Sequence, residues 1–532
     1  MALKKQNMKN TTHIFLSLLG ASPSLPRHSA RAFLLATAML LLVLSPPATS
    51  FAGSATWQTN PASGNWNSAT NWMPNSVPDG PGDTATFQSS DVTDVALSAP
   101  IFELDGIVFN AGASAYKFTV TLVFSLSMGG VGITNNSGIQ QNFVAARDAD
   151  GSFFQAITFT NSATAGSLTT FTNEGATSAG PNGGSTKFFA TSTAGNGIFT
   201  TNGGTVSGAY GGAVVFFNSS TAGNGTFTTN GGTVNGAFGG FLTFENSSTA
   251  ANATLVAKGG LGGGAGGSIR FFQNSTGGTA RVKVFGDGNL EIEVDTTGLT
   301  VGSIEGDGYV ILRGNKLTVG SNNLSTNFSG MIVDGGSGGS LTKVGTGKLV
   351  LKHRNSYVGG TTINAGRLVI NNIGGSGTGS GPVQVKGGKL AGKGEIAGAV
   401  TVGTGSAGGA VLAPGYLHGI GSPGALTIHS PLTFNSDATY EVGMNSSSVM
   451  ADEVVALGVT INGAAQFAFV DIGSSSLPAG TIFTVINNTA ATPIAGTFSN
   501  LPDGSTFASN GNTFKANYQG GDGNDLTLKV VP

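Results

Sequence analysis

Apolar and polar positions recur at a fixed offset through the middle of the chain. Ser192–Gly197 (Ser-Thr-Ala-Gly-Asn-Gly) returns as Ser220–Gly225, and Thr200–Val206 returns as Thr228–Val234, both at a shift of 28 residues. Phe159, Phe188, Phe216, Phe244 and Phe271 each precede a Ser/Thr/Asn-rich turn, at spacings of 29, 28, 28 and 27. A fixed period in this range marks stacked supersecondary units. Across copies, Val214, Leu242 and Ile269 align and are apolar, and two residues on Phe216, Phe244 and Phe271 align and are aromatic. The positions beside them vary freely: Val215, Thr243 and Arg270, then Phe217, Glu245 and Phe272. Apolar constancy at every second residue predicts strands with one buried face and puts the variable positions outside. The phenylalanines should then stack as an internal ladder at the strand spacing, about 4.8 Å. Glycine and asparagine between the strands allow sharp corners. After residue 52 no segment longer than a few residues has helical periodicity.

A chain of 532 residues is too long for one compact core. A solenoid escapes that limit by growing in one dimension. Uniform coils of about 28 residues would give on the order of 17 coils and a rod of about 80 Å. The chain has 87 glycines and 9% charged residues, against about 25% in an average domain. Its hydrophobic share of 39% argues against disorder. With no cysteine, disulfides, thiolate metal sites and cysteine nucleophiles are excluded. A net charge of -2 gives no electrostatic case for nucleic acid or an anionic membrane. The neutral, Ser/Thr/Asn-rich faces are expected to offer hydroxyl and amide groups with no focused charge.

Residues 1–52 have the layout of a signal peptide. Lys4, Lys5, Lys9, Arg27 and Arg31 supply positive charge, and Ala32–Leu44 is apolar apart from Thr37. Pro46 and Pro47 end any helix. Ser50-Phe51-Ala52 offers small residues for cleavage after Ala52, with cleavage after Ser50 as the alternative. The apolar run is short for a membrane anchor of about 20 residues. The predicted organisation is a signal peptide (1–52), an N-terminal cap with the first coils (53–135), a solenoid of about 28-residue repeats (136–300), a further solenoid (301–422) and a C-terminal β cap (423–532).

Residues 341–371 carry a denser motif. Leu341-Thr342-Lys343-Val344-Gly345-Thr346-Gly347-Lys348-Leu349 leads through Asn355-Ser356-Tyr357 and Gly359-Gly360-Thr361-Thr362 to Asn364-Ala365-Gly366-Arg367-Leu368. This closely resembles the autotransporter-associated β-strand repeat found in passenger regions of bacterial surface proteins. Val358 stands where that family usually has threonine. The flanks are also similar to such proteins: Trp57, Trp66, Trp72 and Asp83–Phe87 at one end, Gly496–Phe498, Tyr518 and Gly520–Asp525 at the other. The resemblance implies an all-β, right-handed parallel β-helix with β-rich end caps, carried to the cell surface or beyond. A family passenger is followed by a membrane β-barrel, whereas this chain closes on Lys529–Pro532 without a barrel-sized region. The self-export route implied by the family name is therefore not assumed, and another secretion system or retention in the periplasm is allowed beside it.

Charge is densest at 281–307. Arg281 and Lys283 alternate with Val282 and Val284; after Gly286-Asp287-Gly288, Glu291, Glu293 and Asp295 alternate with Ile292 and Val294. Both sets are expected outside, on one face. β-Helix polysaccharide lyases use such a face, with calcium on carboxylates and a lysine or arginine as base. Complementary surface charge is the favoured reading. Gly520–Asp525 fits the start of a calcium nonapeptide, but tandem copies are needed to complete the coordination shell. A tight turn into a final strand is expected instead. Gly335-Gly336-Ser337-Gly338-Gly339 fits the nucleophile-elbow spacing, which needs a following helix; His353, His418 and His429 have no motif linking them to Ser337. Gly387 through Gly392-Lys393 has a phosphate-loop look, but Gly394 replaces the required Ser/Thr. The three tryptophans could stack on sugars if exposed, but covering the open first coil is favoured.

The chain is thus expected to be an exported structural or adhesive β-solenoid, not an enzyme, with no cofactor and no metal. The alternatives are a lyase-like carbohydrate-active enzyme and a carbohydrate-binding protein. Its expected partners are a cell-surface or matrix polysaccharide, or further copies of itself. Nucleic acid is not expected, and neither is a transmembrane segment after residue 52.

Overall fold

The computed structural model describes residues 53–121, 125–146, 156–293, 298–406, 408–415 and 423–532. The predicted signal peptide, Val294, Asp295 and His418 lie outside the described residues. The remainder is a parallel β-solenoid. One sheet has 13 strands, from Trp72–Met73 and Ala55–Trp57 at its start to Met331–Val333 at its end. All of its pairings are parallel except the first, between those two opening strands. A second sheet runs from Asp94–Ala96 to Gln466–Asp471, its strands pairing parallel one coil on, apart from the short Met450–Ala451, which pairs antiparallel with Ala438–Asn445.

The third side changes character along the chain. Early coils join there through single parallel bridges linking Thr164, Thr193, Thr221, Thr249 and Thr276. From Leu299–Val301 to Val459–Ile461 an eight-stranded parallel sheet takes over. A fourth sheet begins at Glu395–Ile396, after the first has ended.

The coils are not uniform. Ser185 pairs with Ala213 and Ala213 with Phe241, a period of 28. Ser268 then pairs with Asn289, and Asn289 with Tyr309, at 21 and 20 residues. The expectation of even 28-residue coils is corrected here. Earlier coils carry a long glycine-rich excursion between their second- and first-sheet strands, such as residues 202–212. Beyond Val284 only the short turn 285–288 remains.

The inward face matches the predicted pattern. Successive rings of Phe159, Phe188, Phe216, Phe244 and Phe271 lie 4.6–4.9 Å apart and within 9° of parallel. A second column, Phe118, Phe143, Phe171, Phe199 and Phe227, stacks at 4.6–5.0 Å on the second sheet. The columns meet edge to face, as in Phe216–Phe227 at 5.6 Å and 75°. This arrangement suits the quadrupoles of both rings. Each corner after a first-sheet strand holds one left-handed residue: Asn161, Ala190, Asn218, Asn246 or Gln273, with φ of 51–58°.

The outer row differs from expectation. Val215 and Thr243 sit on the outward side yet are only 8% and 5% exposed. Lys187, Val215, Thr243 and Arg270 are register partners, so each is flanked one coil above and below at about 4.8 Å. Free variation there reflects tolerance of size and polarity and not full exposure.

Both ends leave the parallel pattern. Trp57, Trp66 and Trp72 are fully buried in edge-on contacts with one another and with Phe87. Their indole N–H groups donate to the Val92, Pro78 and Trp66 carbonyls. They plug the first coil, and with no ring face exposed, sugar stacking on them is set aside. At the far end Ile482–Asn488, Asp525–Val531, Asn512–Gly520 and Thr506–Ser509 form an antiparallel set that closes the fourth sheet.

Candidate functional site

The charged stretch does not assemble on one face. Arg281 and Lys283 belong to the second sheet, whereas Glu291 belongs to the first, with Glu293 just beyond its strand. The Gly286–Gly288 turn carries the chain round a corner between them, and this corrects the expected single face. The charges are instead matched between coils. Arg281 makes a two-pronged contact with Glu305 on the next coil, and this hydrogen bonding pushes its already high pKa further up. Arg313 bonds Glu291 and lies 3.3 Å from Glu293; Arg270 approaches Glu291 at 3.5 Å from the other side. A carboxylate held between two guanidinium groups is poorly placed to bind calcium or to move a proton.

The motif at 341–371 has a clear mechanical meaning. Leu341 and Lys343 point inward from the strand Ser340–Lys343. The Lys343 ammonium is buried and donates to the Val344, Gly345 and Ala365 carbonyls; burial pushes its pKa down to about 8. Asn355 stitches three coils: its Oδ1 accepts from Ile332 N–H at 2.7 Å and its Nδ2 donates to the Gly377 carbonyl at 2.7 Å. Tyr357 fills the next corner, fully buried, its hydroxyl 2.6 Å from Thr361 Oγ1. Burial raises its pKa. Gly360 (φ 87°) and Gly366 (φ 69°) turn the chain into the strands Thr361–Ile363 and Arg367–Ile370.

Residues 341–370 match the family of the passenger-associated-transport-repeat.

No curated protein matches the chain. Within the matched residues, Asn355, Tyr357 and the paired glycines each satisfy a corner between the stacked coils. The passenger repeat agrees with an exported β-solenoid. Among the described residues no helix is long and apolar enough to cross a membrane, and no group of three or more His, Asp or Glu could hold a metal ion.

The remaining candidates resolve into turns. Gly520–Asp525 is a hairpin turn; Gly520 pairs with Asp525, whose carboxylate accepts from Asn488 N–H at 2.9 Å. In Gly335–Gly339 the Asp334 carboxylate accepts from the N–H groups of Gly336, Gly338, Gly339 and Val358. It organises a loop that leads into a strand, not an elbow before a helix. Gly387 and Gly388 lie between strands Val383–Val385 and Lys389–Gly392, so no helix follows there either. The His353 ring lies 3.2 Å from the Arg354 carbonyl, and His429 pairs with Glu395 at 3.1 Å in the open.

One cluster has no counterpart in the sequence reading. Arg367, Val369, Lys389, Ala391, Ala413, Gly415 and Glu441 line a depression on the outer second sheet, with room for about one water molecule. Lys389 bonds both Glu441 oxygens, at 2.7 and 2.8 Å. Nearby Asp452 is buried and accepts from Gly424 and Gly443 N–H. Burial pushes its pKa up to about 6 against those two bonds. Lys389 and Glu441 are 52 residues apart across coils of unequal length, so no sequence spacing announces the pair. The depression is too small for a sugar ring, and Glu441 within it is already paired with Lys389.

Proposed function

We propose that the chain is an exported, surface-displayed β-solenoid that acts as a structural or adhesive scaffold without catalysis. The pairing of charge between coils carries this reading: Glu291, Glu293 and Glu305 are each held by an arginine of a neighbouring coil. Their outlay goes to holding one coil on the next. Caps at both ends fit a rod that stays soluble while displaying its length, because uncovered strand edges invite edge-to-edge association. The passenger repeat supports export.

Protease treatment of intact producing cells tests the placement: the chain should be cut or released while a periplasmic marker survives. Incubating residues 53–532 with polyuronates across a calcium series tests the rest. Absorbance from unsaturated uronate ends, lost in Glu291→Ala and Glu293→Ala, would overturn the scaffold reading.

A further inference from the structure

Charge is sharply segregated along this rod. Between Asp334 and Glu395 there are eight Lys and Arg and no acidic residue. The rest of the chain after residue 52 holds 11 Lys and Arg against all 26 Asp and Glu. A net charge of -2 therefore conceals a basic segment within an acidic rod, contrary to the expectation of no focused charge.

Five of these cations lie on or just beyond strands of the outer second sheet, while Lys343 is buried and Lys386 follows the third-sheet strand Val383–Val385. Lys348, Arg367 and Lys389 are register partners on three successive coils, so neighbouring cations start about 4.8 Å apart along the rod. Lys352 and Lys393 each follow the register partners Leu351, Ile370 and Gly392. They define a second row about 13 Å across the face. Between the rows lies a dry apolar strip of Val350, Val369 and Ala391. Exposed Arg354 and Lys386 extend the charge beyond both rows. Lys389 is engaged with Glu441, and Lys393 donates to the Pro423 carbonyl, so the exposed Lys352, Arg354 and Lys386 are the foremost contacts.

We propose that this face binds an extended anionic polysaccharide, one carrying carboxylates along its length, laid across the second sheet from the Lys386 edge to the Lys352 and Arg354 edge; this rests on the scaffold reading above. Exposed cations at both edges of the face suit a polymer with single charges spaced along its length. A membrane surface fits less well, because Val350, Val369 and Ala391 are 0%, 2% and 5% exposed and unavailable to insert. Single-stranded nucleic acid would need aromatic platforms, and Tyr357, the aromatic of this segment, is fully buried.

The test uses residues 53–532 on immobilised polygalacturonate, with dextran and duplex DNA as comparison surfaces. The protein should be retained on polygalacturonate and not dextran, with affinity falling steadily as salt rises. The triple variant Lys352→Glu, Arg354→Glu, Lys386→Glu should bind at least ~10-fold more weakly with an unchanged melting temperature. Lys117→Glu, Lys258→Glu and Lys515→Glu together make the same charge change at exposed sites elsewhere and should stay within about twofold of the parent. Equal loss in both triples, no retention at low salt, or tighter binding to DNA than to polygalacturonate each overturns the proposal. Surface display without polyuronate binding removes this inference and leaves the scaffold; cleavage of the polymer removes the scaffold itself.

Discussion

Replacing Phe216 with alanine should be among the most damaging single changes in the solenoid. Its ring is fully buried. It stacks on Phe188 at 4.6 Å and Phe244 at 4.9 Å and meets Phe227 edge-on at 5.6 Å. Removing a buried phenylalanine costs about 3–5 kcal/mol, because burial is lost and a cavity remains. Each aromatic contact contributes ~0.5–1.5 kcal/mol beyond area. Phe216→Leu keeps apolar bulk and loses the ring contacts, so its cost should fall between zero and that of alanine. Phe217 is the internal control: one residue on and half-buried, it stacks on Phe189 at 4.7 Å outside the core. Phe217→Ala should cost about 1 kcal/mol. Urea unfolding of residues 53–532 gives the ranking, and hydrogen exchange gives the location. Each coil touches only its neighbours, so protection should fall around Ser185–Phe188 and Phe241–Phe244 and persist at Glu453–Ala456. A smaller cost for Phe216→Ala than for Phe217→Ala, or protection lost evenly along the chain, would refute the ladder as the local source of stability.

Asn355→Ala strips the Ile332 N–H and the Gly377 carbonyl of their partner, and should cost about 2–4 kcal/mol in denaturant unfolding; a neutral result would remove the stitching role. Arg281→Ala should cost no more than ~1 kcal/mol, because the guanidinium is 42% exposed; a cost of several kcal/mol would contradict a surface pair. Stability should rise from pH 8 to pH 10, because Lys343 and Lys187, both pushed down to about 8 by burial, bind fewer protons folded than unfolded in that window. Above pH 10 it should fall, as Tyr116 and Tyr518, pushed up to about 12 by burial, lose protons first in the unfolded chain. Urea midpoints across pH 7–11 check both limbs, and Lys343→Met with Lys187→Met should flatten the rise. Acrylamide should leave tryptophan emission unquenched until the chain unfolds, since all three indoles are fully buried; quenching in the native state would open the N-terminal cap.

The inner column was legible because phenylalanine recurs at one offset, and only a stacked strand buries the same position in every coil. The second column recurs equally regularly at Phe143, Phe171, Phe199 and Phe227, and the same comparison would have exposed it. Alternation showed that Arg281 and Glu291 face outward, but not that the Gly286–Gly288 turn sends them to different sheets. A corner changes direction without disturbing the period of two. The Lys389–Glu441 pair escaped because it joins coils whose lengths differ, and summed charge hid the basic face because acids elsewhere cancel it. What the corner residues do was equally out of reach: Asn355 and Tyr357 look like turn formers, and only the stacked coils reveal them as buried cross-links.

Distances between spin labels test the solenoid most directly. The chain has no cysteine, so labels go only where cysteine is introduced. Thr119, Thr228, Lys283 and Asn327 lie on one outward row of the second sheet. Counted in coils from Thr119, the pairs with Thr228, Lys283 and Asn327 should give about 19, 29 and 38 Å, a staircase set by the strand spacing. Distances that follow this staircase, within the reach of the label, are the expected result. Distances that level off, or that fail to grow with the number of coils, would contradict a stack of parallel coils.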